Sequence, residues 1–292
     1  MAGMVTLGAV ARPQLPPERL RPLARAAEQA GLAEVWLWED CFAEGGLTAA
    51  AALLASTDRL RVGVGILPTP LRNVALTAME VATAERLFPG RLTVGVGHGV
   101  QEWMGQVGAR PDSPLTLLRE YATALRALLA GQQVSTRGSY VTLDRVRLAW
   151  PPTTPMPVLA GAVGPRTLRL TAEVADGTIL TAGTTPEAIA AARQVLAAAR
   201  ADAGRTGRHQ VVVYVLTAFG PGGRERAEAE AREWGLDLDP HALLAGGPAD
   251  VAAGVRAFAE AGADTVVLQP PGDEPDPEGF VRFAGQVQAL LT

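Results

Sequence analysis

The chain has 292 residues, 48% hydrophobic and 19% charged, and its 26 basic and 30 acidic side chains leave a net charge of −4. That balance supplies a large core, and the lack of a basic tract argues against a nucleic-acid partner. No apolar run reaches the ~20 residues of a membrane span, and the N-terminal MAGMVTLGAVARPQ reads as a first strand rather than a signal peptide, so a cytoplasmic protein is expected.

The first strand is Val5 to Val10, followed by a helix over Pro16 to Ala30 with Leu20, Leu23, Ala24 and Ala27 at helical spacing. Gly31 suits the helix end. Glu34 to Asp40 (EVWLWED) is a second strand, and Thr48 to Ser56 a second helix. Arg61 to Leu67 (RVGVGIL) is the third strand and Val74 to Phe88 the third helix. The fourth strand begins at Arg91 and runs into the glycine-flanked Gly97-His98-Gly99, then Glu102, Trp103 and Gln106. Glycines on both sides of His98 let the chain bend and let a large group approach. A fourth helix covers Pro114 to Ala130.

Residues 131–155 break the rhythm and read as an inserted hairpin or extended loop. Alternation resumes with a fifth strand, Met156 to Ala162, and a helix opened by Gly164-Pro165-Arg166. Gly177 to Ala182 is the sixth strand and Pro186 to Ala203 its helix. Val211 to Phe219 is the seventh strand and Gly223 to Trp234 a charged helix. A loop holding Asp237, Asp239 and His241 precedes the helix Pro248 to Ala261. Asp264 to Gln269 is the eighth strand, and Glu278 to Leu291 the last helix. Eight strands, each followed by a helix and with no dividing linker, predict one domain over 1–292: a (β/α)8 TIM barrel with the 131–155 insertion. A doubly wound open sheet is the alternative, weakened by the missing GxGxxG after the first strand.

In such a barrel the chemistry gathers at the C-terminal ends of the strands. The candidates there are Trp38, Glu39, Asp40 and Cys41; Gly65, Ile66, Leu67, Pro68 and Thr69; Gly97, His98, Glu102 and Trp103. The later strands offer Gly161, Ala162, Val163, Gly164, Pro165 and Arg166; Thr181, Ala182 and Gly183; and Gln269 with Pro270. Glu39 and Asp40 are neighbours on a strand and should point to opposite faces. All 26 basic residues are arginines, which excludes Schiff-base lysine chemistry and a lysine P-loop. Cys41 is the only cysteine, and the three histidines show no HxH or HExxH spacing, so no metal site is expected. No GxSxG is present, and Asp40 disfavours a thiolate at its neighbour. The segment Gly161 to Arg166 follows a strand and opens a helix, a place where free N–H groups and the helix dipole attract a phosphate.

Four spaced pieces then carry a family resemblance: AEQAGLAEVWLWEDCF (27–42), RVGVGILPTPLRNVALTAMEVATAERLFPGRLTVGVGHG (61–99), PVLAGAVGPRTLRLTAEVADGTIL (157–180) and AGGPADVAAGVRAFAEAGADTVVLQP (245–270). Together they resemble the bacterial luciferase-like family of flavin- and deazaflavin-dependent oxidoreductases. The GHG followed by Trp103 to Gly108 looks closest to the branch that uses coenzyme F420. The resemblance implies an isoalloxazine-like ring across the strand ends, backed by a bulge, often with a non-proline cis peptide, at Gly65-Ile66-Leu67. It places the phosphate and tail near Gly161 to Arg166 with Thr181, Ala182 and Gly183. Many relatives have Asp-His where this chain has Asp40-Cys41, which leaves an acid or base role vacant or moves it to His98. With no lysine, Arg72 or Arg166 would hold the cofactor tail.

The reading implied is an oxidoreductase moving a hydride between coenzyme F420 and a small organic substrate. Asp40 and Ile66 would position the ring, together with Gly65, Leu67 and Gly97. His98 would carry a proton, oriented or replaced by Glu39 or Glu102. Trp38, Cys41 and Trp103 would line the substrate pocket. An FMN-dependent monooxygenase served by a separate reductase is the alternative, and a non-catalytic flavin-binding barrel a further one. A homodimer is expected.

Overall fold

The computed structural model describes residues 5–236 and 239–292, so Asp237 lies outside the described residues. Eight parallel strands close into a barrel: β1 (Thr6–Val10), β2 (Glu34–Leu37), β3 (Arg61–Pro68), β4 (Leu92–Gly97), β5 (Val158–Ala162), β6 (Gly177–Leu180), β7 (Gln210–Thr217) and β8 (Thr265–Gln269). Closure is made where β8 pairs with β1. The surrounding helices are α1 (Leu20–Gln29), α2 (Gly46–Ala55), α3 (Val74–Leu87), α4 (Pro114–Leu129), α5 (Pro165–Val174), α6 (Pro186–Asp202), α7 (Gly223–Glu233), α8 (Pro248–Glu260) and α9 (Pro277–Ala289). The TIM-barrel expectation is met. The insertion is an antiparallel hairpin of Val134–Arg137 and Thr142–Val146.

Local differences have physical causes. β2 stops at Leu37, not Asp40, because its pairing partner β3 bulges between Val64 and Leu67. α2 starts two residues earlier than the spacing suggests, since the Glu39 carboxylate accepts the Gly46 N–H at 2.7 Å and so caps the helix. β6 ends at Leu180, leaving Thr181 and Ala182 in a loop whose next residue, Gly183, has φ +88°. A short helix, Gln101–Gln106, and a two-residue strand, Leu243–Leu244, were not predicted.

Each strand has two faces with different tasks. Leu7, Val35, Leu37, Val94, Val96, Ala160 and Val266 pack outward against the helices in one large core. Val10, Trp36, Leu159, Ile179, Val212, Tyr214 and Val267 fill the barrel interior. Trp36 is wholly buried there, and its indole N–H donates to Glu34 at 2.8 Å. Space for it comes from missing side chains on the neighbours: a Cβ at Gly63 would lie 2.2 Å from the Trp36 ring, and one at Gly8 2.7 Å. Tyr214 meets Trp36 edge-on at 6.0 Å and donates its hydroxyl to the Gly65 carbonyl at 3.0 Å.

A neutral histidine ties the start of β7 to β6 and α6 on the outer side of the barrel. Arg200 can only donate to His209 Nδ1 (3.3 Å), so the ring proton sits on Nε2 and is donated to Thr178 Oγ1 at 2.8 Å. Thr178 in turn meets Thr171, whose hydroxyl ends on the Leu168 carbonyl. Burial, then the charges of Arg200, Arg193 and Arg205, push the His209 pKa down to about 4.

Two outcomes are expected. Gly63→Ala should cost at least about 1–3 kcal/mol by overpacking against Trp36. Gly105→Ala, facing open space in the short helix, should be neutral or stabilising by up to about 1 kcal/mol. Denaturant unfolding checks the pair; a harmless Gly63→Ala would refute the interior packing. Between pH 6.5 and 4 the unfolded chain takes up a proton at His209 that the native chain refuses. Stability from His209 is therefore complete above pH 6.5 and drains as pH falls toward 4, with a slope of at most about 1.4 kcal/mol per pH unit. His209→Gln should flatten that slope, whatever it does to absolute stability; an unchanged slope counts against the assignment.

Candidate active site

The inward face of the strands continues past their C-terminal ends and lines the barrel mouth. Beyond Val10 it brings Arg12; beyond Trp36, Trp38 and then Asp40; beyond Val267, Gln269. After the β3 bulge, the Ile66 side chain turns inward and stands between β4 and β5. A Cβ at Gly97 would come within 3.0 Å of it and one at Gly161 within 3.1 Å. The peptide bonds Gly65–Ile66 and Cys41–Phe42 are both cis. Ile66 is half-buried, so an aliphatic floor is left open to the mouth. Trp38 forms a wall, edge-on to Tyr214 at 5.5 Å. Phe42 and Val163 stand at the rim 67% and 87% exposed, a large uncovered apolar area for loop residues at the end of a barrel.

Charge at the mouth is held tightly. The Arg12 guanidinium lies over the Trp38 ring, 5.2 Å from its centroid, and pairs with Glu230 from α7 at 2.9 Å. Glu230 also accepts from the Gly272 N–H at 2.6 Å and the Gln269 amide at 3.4 Å. Asp40 accepts the Trp38 indole N–H at 2.8 Å. Burial raises the Asp40 pKa, against the opposing pull of the Trp38 hydrogen bond and the Arg12 charge. Burial, then the carboxylates of Glu39 and Asp40, push the Cys41 thiol pKa up, which disfavours its thiolate.

Several expected site residues point elsewhere. Glu39 lies on the outward face, bound to the Gly46 N–H and 3.7 Å from Arg72, which also pairs with Glu80 at 3.1 Å. Arg72 is thereby engaged behind β3, away from a cofactor tail. Leu67 is buried beneath α2, where a Cβ on Gly46 would meet it at 3.0 Å, so it offers nothing to a ring. Ala162 likewise faces outward and is buried, and Ala182 packs against Leu216, Ala227 and Leu243 under α7. His98 follows the outward face of Leu92, Val94 and Val96. Its Nε2 is 3.3 Å from Thr167 Oγ1 of α5, and neither Glu39 nor Glu102 orients it. Glu102 is exposed and Trp103 half-buried on the short helix. Thr181 is exposed at the end of β6, on the inward phase set by Ile179.

The start of α5 is open. Gly164 precedes it, Pro165 occupies its first turn, and no side chain caps it. The first intrahelical bond runs from the Leu168 N–H to the Gly164 carbonyl, leaving earlier N–H groups without helical partners. By contrast Asn73, Ser113, Thr185 and Asp276 cap α3, α4, α6 and α9. A Cβ at Gly164 would meet nothing within 4 Å, and Arg166 is exposed beside it. The inserted hairpin borders a cavity of about 290 Å³ off the barrel axis, where Tyr140 faces Thr69 and Tyr121. Among the described residues no cluster of His, Cys, Asp and Glu is arranged to hold a metal, and no helix is long and apolar enough to cross a membrane.

Sequence reasoning missed Arg12, Tyr214, Thr167 and Glu230. Arg12 was within reach, two residues past Val10 on the alternation of β1. Thr167 adjoins the segment already singled out. Nothing in the charged run of α7 distinguishes Glu230.

The sequence pattern of the luciferase-like monooxygenase family matches residues 2–240. A 5,10-methylenetetrahydromethanopterin reductase of Methanolobus tindarius is 29% identical over 201 residues, 69% of this chain and 61% of that protein. The chain thus spans less than two thirds of that relative's length. An F420-dependent glucose-6-phosphate dehydrogenase of Nakamurella multipartita is 29% identical over 244 residues, 78% of this chain and 71% of that protein. Among solved structures, an F420-dependent secondary alcohol dehydrogenase in complex with an F420–acetone adduct shares the fold with a TM-score of 0.86, at 20% identity and 99% coverage of both chains. A monooxygenase from Streptomyces bottropensis does so with a TM-score of 0.81, at 20% identity and covering 99% of this chain and 100% of that one. With a family pattern running through seven of the eight barrel strands, the chain belongs to the luciferase-like monooxygenase family.

Proposed function

We propose that the protein is an oxidoreductase that moves a hydride between coenzyme F420 and a small organic substrate. The observation that carries this reading is the mouth itself: the open Ile66 floor between Gly97 and Gly161, walled by Trp38 and Asp40. It fits a flat, partly apolar ring, because the two glycines seat Ile66 between β4 and β5 and leave its half-buried aliphatic face open to the mouth. The uncapped start of α5, with Arg166 beside it, fits an anionic tail. The F420-dependent relatives support the same choice of cofactor.

When bound, the coenzyme supplies the carbon that accepts or donates the hydride. The protein's part is to bind, orient and manage protons. Ile66 and Trp38 exclude water from one side of the mouth. Asp40 has one oxygen held by the Trp38 indole, and its raised pKa lets the carboxyl keep a proton more readily than an exposed one. Arg12, fixed by Glu230, limits that rise.

A spectral titration of the purified protein with coenzyme F420 and with FMN tests the reading. F420 is expected to bind with Kd below about 10 μM. Ile66→Asp should weaken it at least about tenfold, while Glu39→Gln, on the outward face, should change it less than about threefold. No affinity for either cofactor would sink the proposal. FMN binding with oxygen uptake, sustained by a separate reductase, would replace it with the monooxygenase reading.

The proposed assembly is a homodimer. Leu76, Met79 and Leu87 leave an apolar stripe exposed along α3, extended by Trp150, over which Arg86 lies at 5.5 Å. Light scattering should give twice the chain mass and Met79→Glu the monomer; a monomeric parent protein at micromolar concentration contradicts this.

A further inference from the structure

Glu230 belongs to the charged helix α7, yet its carboxylate lies where the ends of β1 and β8 meet. It pairs with Arg12 at 2.9 Å, and the two side chains are only 9% and 12% exposed, Arg12 first. Its other oxygen accepts the Gly272 N–H at 2.6 Å, and the Gln269 amide lies 3.4 Å from the first. Arg12 Nε donates to Gln14 at 3.3 Å, so the guanidinium is held at two points while it lies over Trp38, 5.2 Å from the ring centroid. Trp38 rests edge-on against Tyr214 at 5.5 Å and donates its indole N–H to Asp40 at 2.8 Å. One unbroken series of contacts therefore runs from α7 through Arg12 and Trp38 to Asp40.

We propose that Glu230 is a positioning residue for Asp40: it holds Arg12 on the face of Trp38, and so fixes both the indole that grips the Asp40 carboxyl and the cation nearby. That Asp40 serves a hydride transfer rests on the cofactor reading above. The charged and titratable groups around Asp40 are Arg12 from the end of β1 and Cys41 and Glu44 from its own loop, with Tyr214 of β7 behind Trp38 and Glu230 behind Arg12. Arg12 is the cation of that set, and its charge opposes the rise that burial gives the Asp40 pKa. A desolvated guanidinium that loses its carboxylate is driven toward water. Removing Glu230 thus has two effects of opposite sign. Loss of its own negative charge would lower the pH at which Asp40 titrates, whereas departure of Arg12 would raise it. A positioning role requires the second to win.

The test reads Asp40 directly, in the full chain without cofactor. In protein labelled with nitrogen-15 at tryptophan, the Trp38 indole N–H signal should titrate with the Asp40 carboxyl it touches. Trp38→Phe assigns the signal and Asp40→Asn should abolish its titration. Glu230→Ala and Arg12→Met should each raise the midpoint by at least about 0.5 pH unit, and the double variant no further than the larger of the two. Glu230→Gln keeps an acceptor for the Gly272 N–H but not the charge that holds Arg12. It should raise the midpoint in the parent chain and leave it unraised in the Arg12→Met background. A lowered midpoint in the Glu230 variants would show a plain charge effect and overturn the proposal. So would a loss of stability with the midpoint unmoved, or additive shifts in the double variant. Should Glu230→Ala fail to fold, Glu230→Gln and Arg12→Met carry the same comparison. In the loaded protein the pH limb of kcat should move with the midpoint. Binding of neither F420 nor FMN by the parent would remove the cofactor reading and the role in hydride transfer, whereas an unmoved midpoint in the cofactor-free chain overturns the positioning role alone.

Discussion

The structure depends on one packing arrangement, the seating of Trp36 inside the barrel. An indole of that size fits among eight strands only where neighbours give up their side chains, and Gly8 and Gly63 do so on the strands either side. Its N–H is satisfied by Glu34, which is itself tied to Arg61 at 2.9 Å, so the polar end of the ring is not stranded in the interior. Tyr214 rests edge-on against the indole and passes the constraint upward through its hydrogen bond to Gly65. The carbonyl of Gly65 precedes Ile66, so the floor of the mouth is set by the layer below it. The proposed cofactor surface is thus an extension of the core, which is how a rigid scaffold holds groups in place for chemistry.

Strand alternation then sorts the rim into two populations. Asp40, Ile66, Gly97 and Gly161 face the barrel axis, while their sequence neighbours Glu39, Leu67, His98 and Ala162 face the helices. Adjacent residues of similar chemistry therefore have unrelated tasks. Glu39 caps α2 and leans toward Arg72; Asp40 sits in the mouth against Trp38. A one-residue shift in the strand would exchange the two sets, and the bulge in β3 makes such a shift locally, bringing Ile66 inward.

Electrostatics follow the same economy. The chain has no lysine, and its mouth arginine is committed to Glu230 and the face of Trp38. A buried cation so paired is a fixed element of the wall, costly to break and unsuited to capturing a mobile anion. The proposed anion site therefore uses backbone groups at the uncapped start of α5, which carry partial charge without a desolvated side chain.

The βα rhythm, the inserted hairpin and the glycine-rich strand ends were legible in the sequence because each is local: periodicity, turn residues and a short bulge motif. The family resemblance was legible because it rests on ordered blocks spread over the chain. The opposition of Glu39 and Asp40 also followed from the period of a strand. Sequence alone could not say which of the two faced the axis, since both faces of a buried barrel strand are apolar and leave no polar side to mark. Nor could it show that His98 would meet Thr167, 69 residues away, or that Glu230 would reach Arg12. Those pairings exist only once the barrel closes, because closure fixes which way each strand end turns and which helix start stands beside it.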